Sequence, residues 1–225
     1  MQRKDPFVSE NFYHVYNRGI DKRIIFKSDY DYQRFVMLLY VANSQDSIRL
    51  DNLINQNHKS YEEIFEVKKN TPLVSIGAWG LMGNHFHILL REESEGGISK
   101  FMKKLGTAYS MYFNIKYHRT GGLFGGPFKS KYISEDLHLK HLFGYIHLNS
   151  LDIKFSGWEK MVDKKYPNEL KDLLKNYQYS SYQDYLGAGR SEGKILNKEV
   201  FPDYFNKENS FENFIDSYLS FDLST

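Results

Sequence analysis

Two apolar segments separated by only three residues constrain the fold of this chain most strongly. Residues 73–81 and 85–91 each have the composition of a buried strand, and Met82, Gly83 and Asn84 between them are typical of a tight turn. The sequence therefore predicts a β-hairpin at its centre. Both strands need partners, because an isolated two-stranded hairpin is only marginally stable in water.

The partners are found on either side of the hairpin. The patterns predict strands over residues 12–17 and 128–133, a helix capped by Ser28 or Asp29 that runs to about residue 43, a helix over residues 99–117, and a helix capped by Ser134 or Asp136 that runs to about residue 149. The first six elements follow the order of the ferredoxin-like split βαβ arrangement. We therefore expect an α+β fold, with a four-stranded antiparallel sheet covered by helices on one face. The last helix is extra and could return across the open face.

The same patterns suggest how the chain is divided. We expect residues 1–150 to form the main domain, with a polar insertion over residues 44–70 that has a weak helical pattern near Tyr61. Residues 151–225 read as a C-terminal extension of that domain. Its last part has helical spacing of apolar residues, namely Phe211, Phe214, Ile215, Tyr218 and Leu219.

Composition excludes several classes of protein. The chain has no cysteine, which rules out disulfides, thiolate zinc sites and a cysteine nucleophile. No apolar run approaches the ~18 residues of a membrane span, and none follows the N-terminal residues, so we expect a soluble protein that is not exported. The net charge of +2 is small, and any surface that attracts nucleic acid must therefore be local.

The strand that follows the turn carries two histidines. His85 and His87 are two residues apart, so their imidazoles point to the same face of the sheet. Such a pair can hold a divalent metal that grips a phosphate or activates a water. The ordinary alternative is two half-buried histidines that hydrogen-bond to their neighbours, and the pair by itself does not decide between these explanations.

The predicted helix that ends near residue 149 carries two further polar side chains on one face. Tyr145 and Asn149 lie four residues apart, outside the apolar stripe of that helix. A phenol beside a metal-bound phosphate can attack phosphorus, and an amide oxygen can complete the metal's ligands. The alternative is a surface ring and a helix C-terminal residue. Tyr109 and Tyr112 fall in an apolar stripe, which favours core packing for both.

In their order along the chain, the motifs resemble those of the REP-associated tyrosine transposases, which belong to the single-tyrosine HUH superfamily. The resemblance extends over about residues 12–187. It rests on YHVYNRG at 13–19, WGLMGNHFHILL at 79–90, YFN at 112–114, RTGGLF at 119–124, FKS at 128–130, YIHLN at 145–149, YSSY at 179–182 and YLG at 185–187. The chain departs from the family pattern at Gly83, at Pro127, and at Ser150 with Leu151.

The resemblance implies specific roles. Tyr145 would be the nucleophile, His85 and His87 the metal-binding pair, and Asn149 the third metal contact. The implied activity is cleavage and rejoining of single-stranded DNA at hairpins such as REP palindromes, through a 5′-phosphotyrosine intermediate and with Mg²⁺ or Mn²⁺ as cofactor. Such a protein would act in a bacterial cytoplasm, as a monomer or a homodimer.

Basic residues near the glycine-rich turn are candidates for DNA contacts. Arg119 precedes this turn, while Lys129 and Lys131 alternate on the strand after it, among aromatic residues that suit stacking on unpaired bases. Pro127 stands where the family often has arginine, so the recognised DNA sequence is open. Two other functions fit the same residues: a descendant that binds hairpins without cutting them, and a phosphoesterase that uses water as nucleophile.

Overall fold

The computed structural model describes residues 6–154, 167–205 and 210–220, except for the side chains at 167, 168, 219 and 220. Leu219, predicted to lie on the apolar face of the last helix, and residues 1–5, on which the expectation of no export partly rests, are outside the described side chains. Within the described residues, no helix is long and apolar enough to cross a membrane.

Four strands and eight α-helices make up the described fold. The strands are β1 (Phe12–Arg18), β2 (Val74–Met82), β3 (His85–Glu92) and β4 (Lys129–Ile133). The helices are α1 (Asp29–Val41), α2 (Leu50–Asn55), α3 (Tyr61–Ile64), α4 (Gly97–Lys116), α5 (Asp136–Leu148), α6 (Pro167–Asn176), α7 (Tyr182–Tyr185) and α8 (Phe211–Ser220). Short 3₁₀ turns occur at Ile20–Lys22, Asn149–Ile153, Ser191–Ile195 and Lys198–Val200.

The strands form one antiparallel sheet in the order β2-β3-β1-β4. This order and the helical connections are those of the ferredoxin-like arrangement, so the predicted α+β class is confirmed. The central pair is β1 and β3, whose register places Arg18 opposite His85 and Tyr16 opposite His87. The two strands with the candidate motifs therefore lie side by side.

One face of the sheet carries the main apolar core. Val15, Trp79, Phe86 and Ile88 point to this face, where they pack against the apolar sides of α1 and α4. Tyr109 of α4 is fully buried there, which confirms the prediction of core packing for this residue. The side chains at alternate positions of the same strands point to the opposite face.

The opposite face is covered in part by α5. This helix packs its apolar residues against the sheet, namely Leu139, Leu142, Phe143 and Ile146. The approach is close at one point, because a Cβ atom added at Gly80 would lie 2.8 Å from the carbonyl oxygen of Ile146. Only glycine at this position of β2 allows the helix to lie so near the strand.

The insertion at residues 44–70 and the described part of the C-terminal extension both pack against the rest of the fold. The insertion forms α2 and α3, and its Ile64 and Phe65 are buried in the main core. In the C-terminal part, the backbone at 179–181 pairs with the outer edge of β2, through the Leu81 N–H to the Tyr179 carbonyl and the Ser181 N–H to the Trp79 carbonyl, each 2.9 Å. The edge of β2 is thereby covered rather than left open to other strands.

The buried carboxylate of Asp31 joins the beginning of α1 to the end of α4. It accepts hydrogen bonds from the backbone N–H groups of Lys27 and Ser28, from the hydroxyls of Tyr112 and Tyr117, and from the ammonium group of Lys116. Burial alone would raise the pKa of this carboxyl group, but the hydrogen bonds outweigh burial and lower the pKa below 3.8.

We predict that Asp31→Ala lowers the free energy of unfolding by about 3 kcal/mol, because it leaves an ammonium group and several donors without their buried partner. Urea denaturation at pH 7 measures this loss. Asp46→Ala, at an exposed aspartate, is the control and should change stability by less than about 0.5 kcal/mol. Equal effects of the two substitutions would contradict a special role of Asp31.

Candidate functional site

A pair of histidines on β3 forms the centre of the candidate site. His85 and His87 point to the sheet face that α5 crosses, and their ring centroids lie 5.2 Å apart with nearly perpendicular planes. Alternation along the strand is the reason, since residues two apart share a face. The structure thus brings the two imidazoles together.

Asn84 determines which nitrogen His85 presents to the site. The Asn84 amide nitrogen donates to the Lys22 carbonyl at 3.0 Å, and the amide oxygen therefore faces Nδ1 of His85, 2.6 Å away. An amide oxygen can only accept, so the hydrogen of the neutral His85 ring is on Nδ1. The lone pair of Nε2 is then free to bind a metal.

A third histidine lies beside His87, on the neighbouring strand β1. His14 of β1 places its Nε2 2.7 Å from Nδ1 of His87, and the two side chains are 9% and 6% exposed. His14 was not among the site residues predicted from the sequence. The alternation of Phe12, His14 and Tyr16 predicts one face for these residues, but only the strand order and register place that face beside His87.

All three imidazoles are held in the neutral form. Burial lowers the pKa of His14 to about 4, with smaller contributions from the charges of His138 and Lys131. Burial and the Arg18 charge lower the pKa of His85 to about 4. The pKa of His87 is well below 6.5, chiefly because of burial. A neutral imidazole is the form that binds metal ions.

Tyr145 projects from α5 over these rings. Its ring centroid lies 5.5 Å from that of His87 and 5.7 Å from that of His14, with edge-to-face geometry in both cases. The side chain is 40% exposed, so its hydroxyl can be reached from solvent. The close packing of α5 at Gly80 is what places this tyrosine above the sheet.

Asn149 follows directly after α5 and is buried. Its side-chain amide donates to the carbonyl of Tyr145 at 2.6 Å, one turn earlier, which closes the end of the helix. Among the hydrogen bonds of the described residues, none joins Asn149 to His85 or His87. Its predicted role as the third metal ligand stays a proposal.

The donor set fits an open metal site better than a closed one. Within the described part of the chain, no three His, Asp or Glu side chains form a group that could hold a metal ion. Two imidazole nitrogens with one amide oxygen would leave several coordination positions for water and a phosphate oxygen. This is the arrangement that a catalytic ion needs.

Positive charges lie around the histidines on the same face of the sheet. The register places Arg18 opposite His85, Lys129 opposite Tyr16, and Lys131 opposite His14. All three cationic side chains belong to exposed residues. Arg18 was not selected from the sequence, although it belongs to the first motif of the resemblance. Together the three residues form a cationic border beside the imidazoles.

Arg119 has a different environment. Its guanidinium group donates to the Asn114 side chain at 3.2 Å and lies over the ring of Phe113, at the end of α4. No contact among the described residues links it to the histidines or to Tyr145. Of the three basic residues predicted near the glycine-rich turn, Lys129 and Lys131 therefore lie beside the site, and Arg119 does not.

His147 of α5 is a fully buried polar residue. Its Nδ1 hydrogen-bonds to the Phe143 carbonyl at 2.7 Å, and its Nε2 to the Ser181 hydroxyl at 2.7 Å. A carbonyl can only accept, so the hydrogen is on Nδ1 and the Ser181 hydroxyl donates to Nε2.

Ser181 also connects this helix to the sheet. Its Oγ accepts from the backbone N–H of Trp79 at 3.0 Å. The C-terminal segment, the helix that carries Tyr145 and the edge of β2 therefore meet in one buried hydrogen-bonded group. His147 could not be recognised as part of this group from the sequence, because Ser181 is 34 residues away.

We predict that His147→Ala lowers the free energy of unfolding by about 3 kcal/mol, because it creates a cavity and removes the nearer acceptor of the Ser181 hydroxyl, leaving it the Trp79 carbonyl at 3.3 Å. Thermal or urea denaturation measures this loss. His141→Ala on an exposed turn of the same helix is the control and should be nearly neutral. A neutral His147→Ala would show that the group contributes little to holding α5.

The lowered histidine pKa values predict a pH dependence of stability. Below pH 6.5 the unfolded chain binds protons at His14, His85, His87 and His147, while the native protein does not until about pH 4 or lower. Stability should therefore fall from pH 6.5 to pH 5, by up to about 1.4 kcal/mol per pH unit for each buried histidine. Urea denaturation at pH 7, 6 and 5 tests this, and constant stability would contradict it.

One family model matches a part of the chain. Residues 40–149, just under half of the chain, match the family model described as "Transposase IS200 like". This segment includes the histidine pair, Tyr145 and Asn149. A search of curated proteins gives no match.

Among solved structures, a REP-associated tyrosine transposase bound to a REP hairpin aligns at 10% identity, with 93% of this chain and 96% of that chain covered and a TM-score of 0.47. A transposase, itself called putative, from Deinococcus radiodurans R1 aligns at 16% identity over 67% and 98% of the two chains, with a TM-score of 0.34. The tRNA(His) guanylyltransferase of Saccharomyces cerevisiae aligns at 11% identity over 95% and 86%, with a TM-score of 0.31.

All three TM-scores are below 0.5, so the match to the family model is the more informative similarity. It agrees with the resemblance to tyrosine transposases seen in the sequence motifs. Residues 40–149 are thus similar to the IS200-like transposases.

Proposed function

We propose that this protein cuts and rejoins single-stranded DNA at hairpins, as a metal-dependent single-tyrosine transposase of the REP-associated group. The observation that carries the proposal is the placement of Tyr145 above His87, with edge-to-face rings 5.5 Å apart, beside a histidine pair whose chemistry suits metal binding. The family match and the ordered motifs support single-stranded DNA as the substrate.

The protein ligands of the metal would be His85, His87 and Asn149. Nε2 of His85 is free, since its Nδ1 faces the Asn84 amide oxygen. His87 and Asn149 would supply the remaining protein ligands. When bound there, Mg²⁺ or Mn²⁺ would polarise a DNA phosphate and stabilise the charge that develops on it.

Tyr145 would act as the nucleophile. Its phenolic oxygen forms a bond to phosphorus as the bond from phosphorus to the 3′ oxygen breaks, and the phenol loses its proton while the departing 3′ hydroxyl gains one. The 5′ end of the DNA remains attached as a phosphotyrosine ester. Attack by a 3′ hydroxyl reverses the step and rejoins the strands without an external energy source.

The cationic border of Arg18, Lys129 and Lys131 would hold the DNA backbone. All three cations point to the face that carries Tyr145, and their charges attract phosphates to this part of the sheet. Tyr16, whose ring is stacked on that of His87 with centroids 5.5 Å apart and an interplanar angle of 28°, adds a flat aromatic surface beside the histidines. We propose Arg119 only as an outlying contact, because its guanidinium group is bound to Asn114.

The decisive experiment incubates the protein with a labelled single-stranded hairpin DNA and Mn²⁺ or Mg²⁺, followed by a denaturing gel. We expect a covalent protein–DNA band with the wild type and with Tyr30→Phe, a control at an exposed tyrosine of α1. Tyr145→Phe should give no such band, because it lacks the attacking oxygen. A chelator should abolish the band.

Two other results of this experiment would reject the proposal. Cleavage by Tyr145→Phe without a covalent band would indicate a phosphoesterase that uses water. Binding of the hairpin without cleavage by any variant, with either metal, would indicate a hairpin-binding protein derived from a transposase. Light scattering of the free and DNA-bound protein would distinguish a monomer from a homodimer.

A second prediction separates DNA cleavage from DNA binding. His85→Ala should reduce cleavage by at least about 100-fold, because a metal ligand is lost, while the hairpin dissociation constant changes by less than about twofold. Cleavage assays and fluorescence anisotropy give the two quantities. Wild-type cleavage by a folded His85→Ala variant would exclude this histidine as a ligand, and loss of the folded state would make it a structural residue.

A further inference from the structure

His14 has no part in the proposed chemistry, although it lies at the centre of the site. It is on the middle of β1, where the register places it between Leu89 and Lys131. Its ring centroid is 4.9 Å from that of His87 and 5.0 Å from that of Tyr16. A buried imidazole that touches a candidate metal ligand needs an explanation of its own.

The hydrogen bond between His14 and His87 has two possible directions. Neutral imidazole carries one hydrogen, so a contact of 2.7 Å between Nε2 of His14 and Nδ1 of His87 needs one N–H and one lone pair. If His87 donates, its Nε2 has a lone pair and can bind a metal. If His14 donates, the hydrogen of His87 is on Nε2, and neither ring nitrogen of His87 is available.

We propose that His14 is a positioning residue that accepts the Nδ1 hydrogen of His87 and thereby directs the Nε2 lone pair of His87 into the metal site. The inference rests on the proposed function, because the metal belongs to that proposal. His14 itself would carry its hydrogen on Nδ1 and would touch neither metal nor DNA.

The surroundings of the two ligands support this assignment. His85 is oriented in the same way, with its Nδ1 facing an acceptor, the Asn84 amide oxygen. For His87, His14 is the one hydrogen-bonding side chain recorded among the described residues. Metal-binding histidines commonly donate their second N–H to such an acceptor, which holds the ring and its tautomer. The chain would thus use two different acceptors for two equivalent ligands.

The first test needs no metal. Ring ¹⁵N spectra of the metal-free protein at pH 7.5 report which nitrogen of each histidine carries the hydrogen, and loss of signals in His87→Gln assigns those of His87. We expect the hydrogen of His87 on Nδ1 and that of His14 also on Nδ1. Finding the hydrogen of His87 on Nε2 would overturn the inference, whether or not the protein binds metal.

The second test measures Mn²⁺ affinity by electron paramagnetic resonance in the absence of DNA. His14→Phe keeps a ring but removes the acceptor, and we expect it to weaken Mn²⁺ binding by about 10- to 100-fold. His14→Gln offers an amide oxygen in place of the imidazole and should recover part of that affinity. A merely structural role would lower the melting temperature of both variants without this difference in metal affinity.

The outcomes separate this inference from the proposed function. If the wild type binds Mn²⁺ and a folded His14→Phe binds it equally well, the positioning role is wrong and the proposed function stands. If the wild type binds no Mn²⁺, the metal-dependent function is wrong, and the ¹⁵N spectra still decide the direction of the hydrogen bond. If His14→Phe fails to fold, the positioning role is tested by the wild-type ¹⁵N spectra and by the Mn²⁺ affinity of His14→Gln.

Discussion

The close approach of α5 to β2 at Gly80 is the constraint on which the candidate site depends. A side chain at this position would collide with the carbonyl of Ile146, the residue that follows Tyr145. A helix lifted away from the sheet would carry the phenol away from the imidazoles. The position of the proposed nucleophile thus depends on the absence of a side chain on a neighbouring strand.

Contacts with the C-terminal segments also hold α5 in place. His147 and Ser181 join α5 to the segment that covers the edge of β2, and Tyr218 of α8 packs over Gly144. His147 and Ser181 are fully buried, and the His147 imidazole is neutral because burial lowers its pKa to about 3. The C-terminal residues therefore do more than extend the chain, since they determine how firmly the helix with Tyr145 is seated.

Burial has opposite consequences for stability and for metal binding. Removal of imidazoles from water disfavours their charged form, which makes the fold sensitive to acid. The same neutral form supplies the lone pairs that a divalent ion requires. A cationic border on the same face further discourages protonation, and it attracts phosphate. The cationic border therefore favours both the neutral form of the histidines and the binding of phosphate near Tyr145, although these residues come from four separate elements.

The sequence patterns predicted the four strands, the main helices α1, α4 and α5, the ferredoxin-like order and the shared face of His85 and His87. These features depend on local periodicity, on turn residues and on alternation along one strand, all of which act over a few residues. The family resemblance pointed to Tyr145 and Asn149. The contact of His14 with His87, the position of Arg18 beside the pair and the burial of His147 against Ser181 became apparent from the folded chain alone. Such contacts depend on strand order, register and the docking angle of a helix, and these are set by packing between residues far apart in the chain.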